Sequence, residues 1–149
     1  MIIRKAVMDD ASILNNYLTL LIQDERKYDA NINENFVVNS MYEHYIDDDN
    51  CILLVAEDNN IIVGYLYGYI VNDDVTYKIK VAKLDALYVD ENYRVKDVAS
   101  NLIDEFKIWC QNNDVKSIEV NVLSDNVKAK KLYEKHNFKV CKEILTLDI

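Results

Sequence analysis

The chain has 149 residues, half of them hydrophobic, and a formal net charge of −9. That length suits a single domain over 1–149 with a sizeable core, and the apolar share excludes a disordered chain. The acidic balance argues against a general nucleic-acid binder; it is compatible with attraction of cationic amines, though charge alone points more to a plain solvated surface.

No charged-then-apolar leader and no apolar run of membrane length is present, so the reading is a soluble, cytoplasmic protein without a membrane partner. Cys51, Cys110 and Cys141 are odd in number, widely spaced and set in apolar patterns, and read as core thiols. Neither His44 nor His136 has a nearby ligand set, so no metal is expected. With 2 Gly and 0 Pro, turns must be built by Asn and Asp, which tolerate left-handed backbone.

In chain order, Ile2–Val7 reads as a strand. Asp9 or Asp10 then caps a helix with the stripe Leu14, Leu18, Leu21 and Ile22. A polar break over Asp24–Asn33 leads to a second helix, about Glu34–Ile46, with Val37, Val38, Met41, Tyr42 and Tyr45 on one side. Asp47–Asn50 turns the chain. Cys51–Glu57 and Ile61–Val71 read as a hairpin around Asp58-Asn59-Asn60. Gly64 and Gly68 in its second strand point to packing or a bulge, and less to ligand approach.

Lys80–Val89 alternates as a strand, with Asp85 on the side of Val81, Leu87 and Val89. Val98, Ala99, Leu102, Ile103, Phe106, Trp109 and Cys110 recur with the spacing of one helix face. Ser117–Leu123 alternates again. This strand–helix–strand run predicts a right-handed parallel unit. Ligands of such units bind at the carboxyl ends of the strands, and anions favour the start of the crossover helix. A helix over Asn126–His136 follows, with Asp125 as cap candidate and Asn137 as its left-handed stop. Phe138–Lys142 and Ile144–Ile149 read as terminal strands.

Three pieces carry a family resemblance: LDALYVDENYR, the loop Arg94-Val95-Lys96-Asp97-Val98-Ala99, and Asn126-x-x-Ala129-x-x-Leu132-Tyr133-Glu134-Lys135-x-x-Phe138. In order and spacing they resemble the GNAT N-acetyltransferases. The family loop is R/Q-x-x-G-x-G/A; Arg94 and Ala99 fit, while Asp97 stands at the first glycine and Asn137 at a later one. The resemblance implies an α/β (α+β) fold of order βααβββαβαββ, a mixed sheet of about seven strands with about four helices. It also implies acetyl-CoA held between two splayed parallel strands, here those ending near Val89 and Leu123.

The same resemblance implies the site. Arg94, Val95, Lys96, Asp97, Val98 and Ala99 would meet the CoA pyrophosphate through backbone N–H groups, with Arg94 and Lys96 adding charge. Leu87, Tyr88 and Val89 would border the thioester, its oxygen taking the N–H of Leu87 or Val89. Asn126 is either a CoA contact or a helix-start residue. Tyr133 matches the family's proposed general acid and is otherwise a core tyrosine. Asp85 matches a position some members use as a base, or makes a structural hydrogen bond.

The implied activity is transfer of acetyl from acetyl-CoA to a primary amine by direct attack. A small cationic acceptor is favoured, with Asp24, Glu25, Asp73 and Asp74 in loops around the groove. A homodimer stays open. The alternative is a non-catalytic domain of this fold that binds a CoA-like ligand or a protein, for which Asp97 is the main support.

Overall fold

The computed structural model describes residues 1–94 and 96–149. Five strands form one sheet in sequence order. They are β1 Ile2–Lys5, β2 Cys51–Asp58, β3 Ile61–Ile70, β4 Val81–Val89 and β5 Ser117–Val120. β1 to β4 are antiparallel neighbours, and β5 joins β4 in parallel. The crossover between β4 and β5 contains α2, Val98–Asn112, while α1, Ala11–Glu25, precedes β2 and α3, Val127–Lys135, follows β5.

The sheet is buried on both faces, as strand alternation requires. On one side Leu54, Ala56, Leu66 and Leu84 pack with Val98, Leu102, Ile103 and Phe106 of α2 and Tyr133 of α3. On the other, Leu53, Val55, Tyr65, Tyr67, Ala86 and Tyr88 pack with Leu14, Tyr17 and Leu18 of α1. The hairpin turn is made as expected: Asn59 and Asn60 take φ of 49° and 63°, the geometry a two-residue turn needs. Asn137 likewise stops α3 with φ 68°.

Both glycines are there for space. A Cβ on Gly68 would sit 2.4 Å from the Phe106 ring, and one on Gly64 2.9 Å from the Tyr88 carbonyl. Gly68 also borders a register shift against β4, so packing and a bulge both apply.

At the N-terminus Asp10 occupies the cap position of α1 without capping it. Its carboxylate instead accepts from the Val7 N–H and from Arg4, at 2.8 Å each. That pairing holds the Asp10 carboxyl below its ordinary pKa.

Three expectations are corrected. The helix over 34–46 is absent apart from a 3-10 turn at Tyr42–His44. Its backbone is satisfied from α1 instead. The Gln23 amide donates to the Glu34 and Phe36 carbonyls, Thr19 Oγ1 accepts from Val38 N–H, and Asn15 Oδ1 accepts from Met41 and Tyr42 N–H. Asn15, Thr19 and Gln23 are spaced i, i+4, i+8, one polar row of a helix reading an extended segment.

The terminal strands are also absent: no ladder includes residues 138–149. The described residues thus hold five strands and three α-helices, fewer than the seven and four expected. Finally, Cys51 is half-buried and Cys110 buried, but Cys141 is exposed, because the segment carrying it lies outside the core.

Candidate active site

The β4–β5 ladder runs from Val81↔Ser117 to Leu84↔Val120 and stops there. β4 continues to Val89 and stays paired with β3 on its other edge. The parallel strands therefore part after Leu84, and the β5-facing edge of Leu87, Tyr88 and Val89 has no ladder partner. The fork opens earlier than the sequence suggested, because β5 ends at Val120 and not near Leu123.

Asp85 lies at the branch of this fork. Tyr67 opposes Ala86 and Gly68 opposes Leu84, which leaves Asp85 unpaired in a β-bulge. A bulge resets the alternation. Leu84, Leu87 and Val89 pack on the α2 face, Ala86 and Tyr88 on the α1 face. Asp85 goes with the latter pair, which corrects the expectation that it shares a side with Leu87 and Val89. Burial is the main cause of the raised phenol pKa values of Tyr42, Tyr65, Tyr67 and Tyr69, and the Asp85 charge adds to each. Asp85 itself stays open to solvent, yet the surrounding protein pushes its carboxyl upward, partly opposed by Lys83.

Tyr133 projects from α3 into the α2-side cluster with Leu84, Val89 and the half-buried Leu87 and Val120. Its ring meets Phe138 edge-on at 5.4 Å. Burial raises the phenol pKa, and the charge of Glu25 adds to this. Glu25 closes α1, with its own carboxyl pushed up by burial and by Asp29. From sequence Glu25 was named only among the acids around the groove, not as a charge acting on the Tyr133 phenol. The available signal was position: Glu25 continues the stripe of Leu14, Leu18 and Leu21, where a charge is out of place.

Asp97 is left-handed, with φ 56° and ψ 21°, and makes no side-chain cap. Its carboxylate lies 3.7 Å from Lys135 Nζ of α3. The first-turn N–H groups of α2 are thus free of a side-chain cap, the condition for an anion site. Arg94 Nε donates to the Val89 carbonyl at 2.8 Å. Its guanidinium lies 3.5 Å from Asp24 and stacks over Tyr88, tying the end of β4 to the last turn of α1. Lys96 lies over the Tyr93 ring. Val95, expected in the loop's contact set, lies outside the described residues.

Asn126, and not Asp125, is the cap of α3, its Oδ1 accepting from Ala129 N–H at 3.1 Å. The acidic rim is also redrawn. Asp24 and Glu25 belong to α1 and stand near the fork, whereas Asp73 and Asp74 lie in the β3–β4 connection, at the opposite end of β4. Among the described residues no group of three or more His, Cys, Asp or Glu is placed to hold a metal, and no helix is long and apolar enough to cross a membrane.

Fork, uncapped helix start and buried phenol form one arrangement, and comparison with known proteins gives it a family. The Acetyltransferase (GNAT) family profile matches residues 17–138. No curated protein matches the chain. Among solved structures, a mutant of the BH1408 protein from Bacillus halodurans is 20% identical, with 100% of this chain and 99% of that one covered and a TM-score of 0.90. The ribosomal-protein-alanine N-acetyltransferase of Brucella melitensis biovar Abortus 2308 is 21% identical over 100% of both chains, with a TM-score of 0.72. An aminoglycoside acetyltransferase, meta-AAC0020, from an uncultured soil metagenomic sample was solved with sisomicin. It is 15% identical, covering 99% of this chain and 94% of that one, with a TM-score of 0.75. At such identities these likenesses speak for the fold, and the profile match, spanning most of the chain, speaks for the lineage: this chain belongs to the GNAT acetyltransferase family.

Proposed function

We propose that the protein transfers acetyl from acetyl-CoA to a primary amine, by direct attack of the amine on the thioester. The observation that carries this reading is the early parting of β4 from β5 after Leu84↔Val120, next to the buried Tyr133 phenol. An acyl-CoA arm laid in the fork has unpaired β4 backbone on one side and the uncapped start of α2 at its pyrophosphate end.

In the reaction the amine nitrogen forms a bond to the carbonyl carbon. The oxygen takes up negative charge, met by an N–H of Leu87 or Val89. The C–S bond then breaks, the leaving sulfur takes the Tyr133 proton, and the proton that the nitrogen sheds as the amide forms returns the phenolate to phenol. A base must first remove a proton from the ammonium form, which dominates at neutral pH for an amine of pKa about 10.4. Asp85 is assigned this task; its raised pKa makes it a stronger base than an ordinary aspartate. Glu25, whose charge acts on the Tyr133 phenol, is the second carboxylate of this region.

A cationic acceptor fits the −9 charge and the Asp24–Glu25 pair near the fork. Two features favour weak CoA binding: Arg94 is engaged with Val89 and Asp24, and Asp97 puts a carboxylate at the helix start. The test is release of CoA thiol from acetyl-CoA across a panel of polyamines, aminoglycosides, amino acids and peptide amines. Saturable release with a cationic amine, weakening with added salt, supports the proposal. Acetyl-CoA binding without turnover of any amine supports the non-catalytic alternative.

A further inference from the structure

Two consecutive residues at the end of α3 hold the first turn of α2. Lys135 Nζ lies 3.7 Å from the Asp97 carboxylate. His136 sets both ring nitrogens on the same helix: Nε2 is 3.1 Å from Ser100 Oγ, and Nδ1 is 3.6 Å from Asp104 Oδ1. Ser100 and Asp104 are four residues apart on α2, so they share one face of it. The His136 side chain is only 8% exposed, although it closes a surface helix. None of these three side chains has a part in the acyl transfer described above.

Their place gives them one. Ser100 is the third residue of α2, and helical Cα–Cβ bonds tilt toward the N-terminus. Its hydroxyl therefore belongs to the turn whose N–H groups carry no side-chain cap. The Asn101 N–H bonds the Asp97 carbonyl at 3.0 Å, which leaves the N–H groups of Val98, Ala99 and Ser100 ahead of it for an anion.

A hydroxyl at this point can turn either its proton or its lone pairs toward that anion. His136 decides which. When the ring is neutral, the Asp104 carboxylate favours the tautomer with the proton on Nδ1. Nε2 then accepts from the Ser100 hydroxyl, whose lone pairs are left to face the anion and repel it. When the ring is protonated, Nε2–H donates to Ser100 Oγ, and the serine proton is released to the anion.

We infer that His136 is a positioning residue of the diphosphate site: acting through Ser100, it takes up a proton as the diphosphate of acyl-CoA settles on the start of α2. This rests on the acyl-CoA reading of the fork. The charges around the ring fit the role. Burial lowers the His136 pKa below its ordinary value; Asp104 opposes this, while Lys107 of α2 and Lys135 of α3 add to it. Asp97 faces Lys135 and offsets its charge. The free protein thus keeps the ring neutral at neutral pH, and the negative charge of a bound diphosphate raises its pKa. Affinity is then greatest below the pKa of the free protein, and falls as pH rises through the pKa of the complex.

The probe is dephospho-CoA. Its diphosphate stays ionised throughout, and it lacks the 3′-phosphate that would itself titrate near about pH 6. Calorimetric titration should show binding roughly 3- to 10-fold tighter at about pH 5.5 than at about pH 8.5. The chain has 2 His, so imidazole NMR can follow both. The His136 pKa should rise by about half a unit to one unit with the ligand, while that of His44 stays still. His136→Gln keeps an amide able to bond Ser100 but cannot titrate, and its affinity should not vary with pH. Ser100→Ala leaves the imidazole in place and removes the hydroxyl it acts through. The pH dependence should shrink there too, and this variant carries the test should the glutamine variant fail to fold. A pH-independent affinity in the unaltered protein, an undiminished pH dependence in the variants or an unmoved His136 pKa overturns the inference and leaves the acyl-CoA site standing. Failure of dephospho-CoA to bind at either pH overturns the inference and the acyl-CoA reading together.

Discussion

The two faces of the sheet solve burial differently. The α2 face is aliphatic and shape-fitted, with Phe106 filling the space that Gly68 leaves. The α1 face is built largely from phenols, and its hydroxyls are paired off. Tyr42 and Tyr65 share a hydrogen bond of 2.9 Å, Tyr17 donates to the Ile62 carbonyl, and Tyr67 meets Cys51 Sγ. Each face contains one group that breaks its own rule. Asp85 brings a carboxylate to the phenols, and Tyr133 brings a phenol into the aliphatic cluster, with no side-chain hydrogen bond among the described residues. A core that satisfies its polar groups elsewhere leaves these two available for chemistry.

The comparison is tested most severely at Tyr133. If its hydroxyl serves the leaving sulfur, Tyr133→Phe lowers kcat about 10- to 1000-fold with little change in KM for acetyl-CoA. Thermal stability should hold, since no hydrogen bond is lost. Unchanged turnover in the folded variant would return Tyr133 to the core.

Next in size is Gly68→Ala on the same face. The added methyl meets the Phe106 ring at 2.4 Å and the Lys83 carbonyl at 3.1 Å, and backbone cannot yield as a flexible side chain would. A loss of about 2–3 kcal/mol in urea unfolding is expected. A neutral result would show that the α2 face is looser than its geometry.

On the phenol face, Tyr42→Phe keeps the shape and orphans the Tyr65 hydroxyl. A cost of about 1–2 kcal/mol should appear in the same unfolding measurement. No cost would mean that the hydroxyl pair is replaceable and that shape alone holds this face too.

The smallest effect is expected at Asp97. Glycine relieves a left-handed backbone and removes a carboxylate from the start of α2. The lost pair with Lys135 is exposed on both sides and is worth little. Acetyl-CoA affinity, read by calorimetric titration, should tighten by roughly 2- to 10-fold, with the fold retained. Equal or weaker affinity would make Asp97 an accommodated part of the loop.

Much of the fold was legible because it is local. The stripe of α2 packs as spaced, and Asn59, Asn60 and Asn137 take the left-handed turns that a glycine-poor chain requires. Residues 34–46 misled because apolar spacing does not say where backbone hydrogen bonds go; Asn15, Thr19 and Gln23 supply them from another element. The tail misled in the opposite way. Its alternation is that of a strand, but a strand needs a ladder partner, and among the described residues no ladder includes 138–149.

At the site, the motif residues were readable one by one, but their company was not. The bulge that turns Asp85 toward the tyrosines depends on the register of β3 against β4. The charge of Glu25, at the end of α1, acts on the Tyr133 phenol of α3, which lies far along the chain. Neither pairing can be read from the order of residues, although Glu25 stands out by itself as a charge in the α1 stripe.

The central claim is that the fork beyond Leu84↔Val120 is the acyl-CoA site. Backbone amide NMR during titration with acetyl-CoA tests it most directly. Shifts should concentrate in Asp85–Val89, in Arg94–Asn101 and around Asn126 and Tyr133, while the β1–β2 edge stays still. Shifts centred elsewhere, or an unchanged spectrum at millimolar acetyl-CoA, would contradict it.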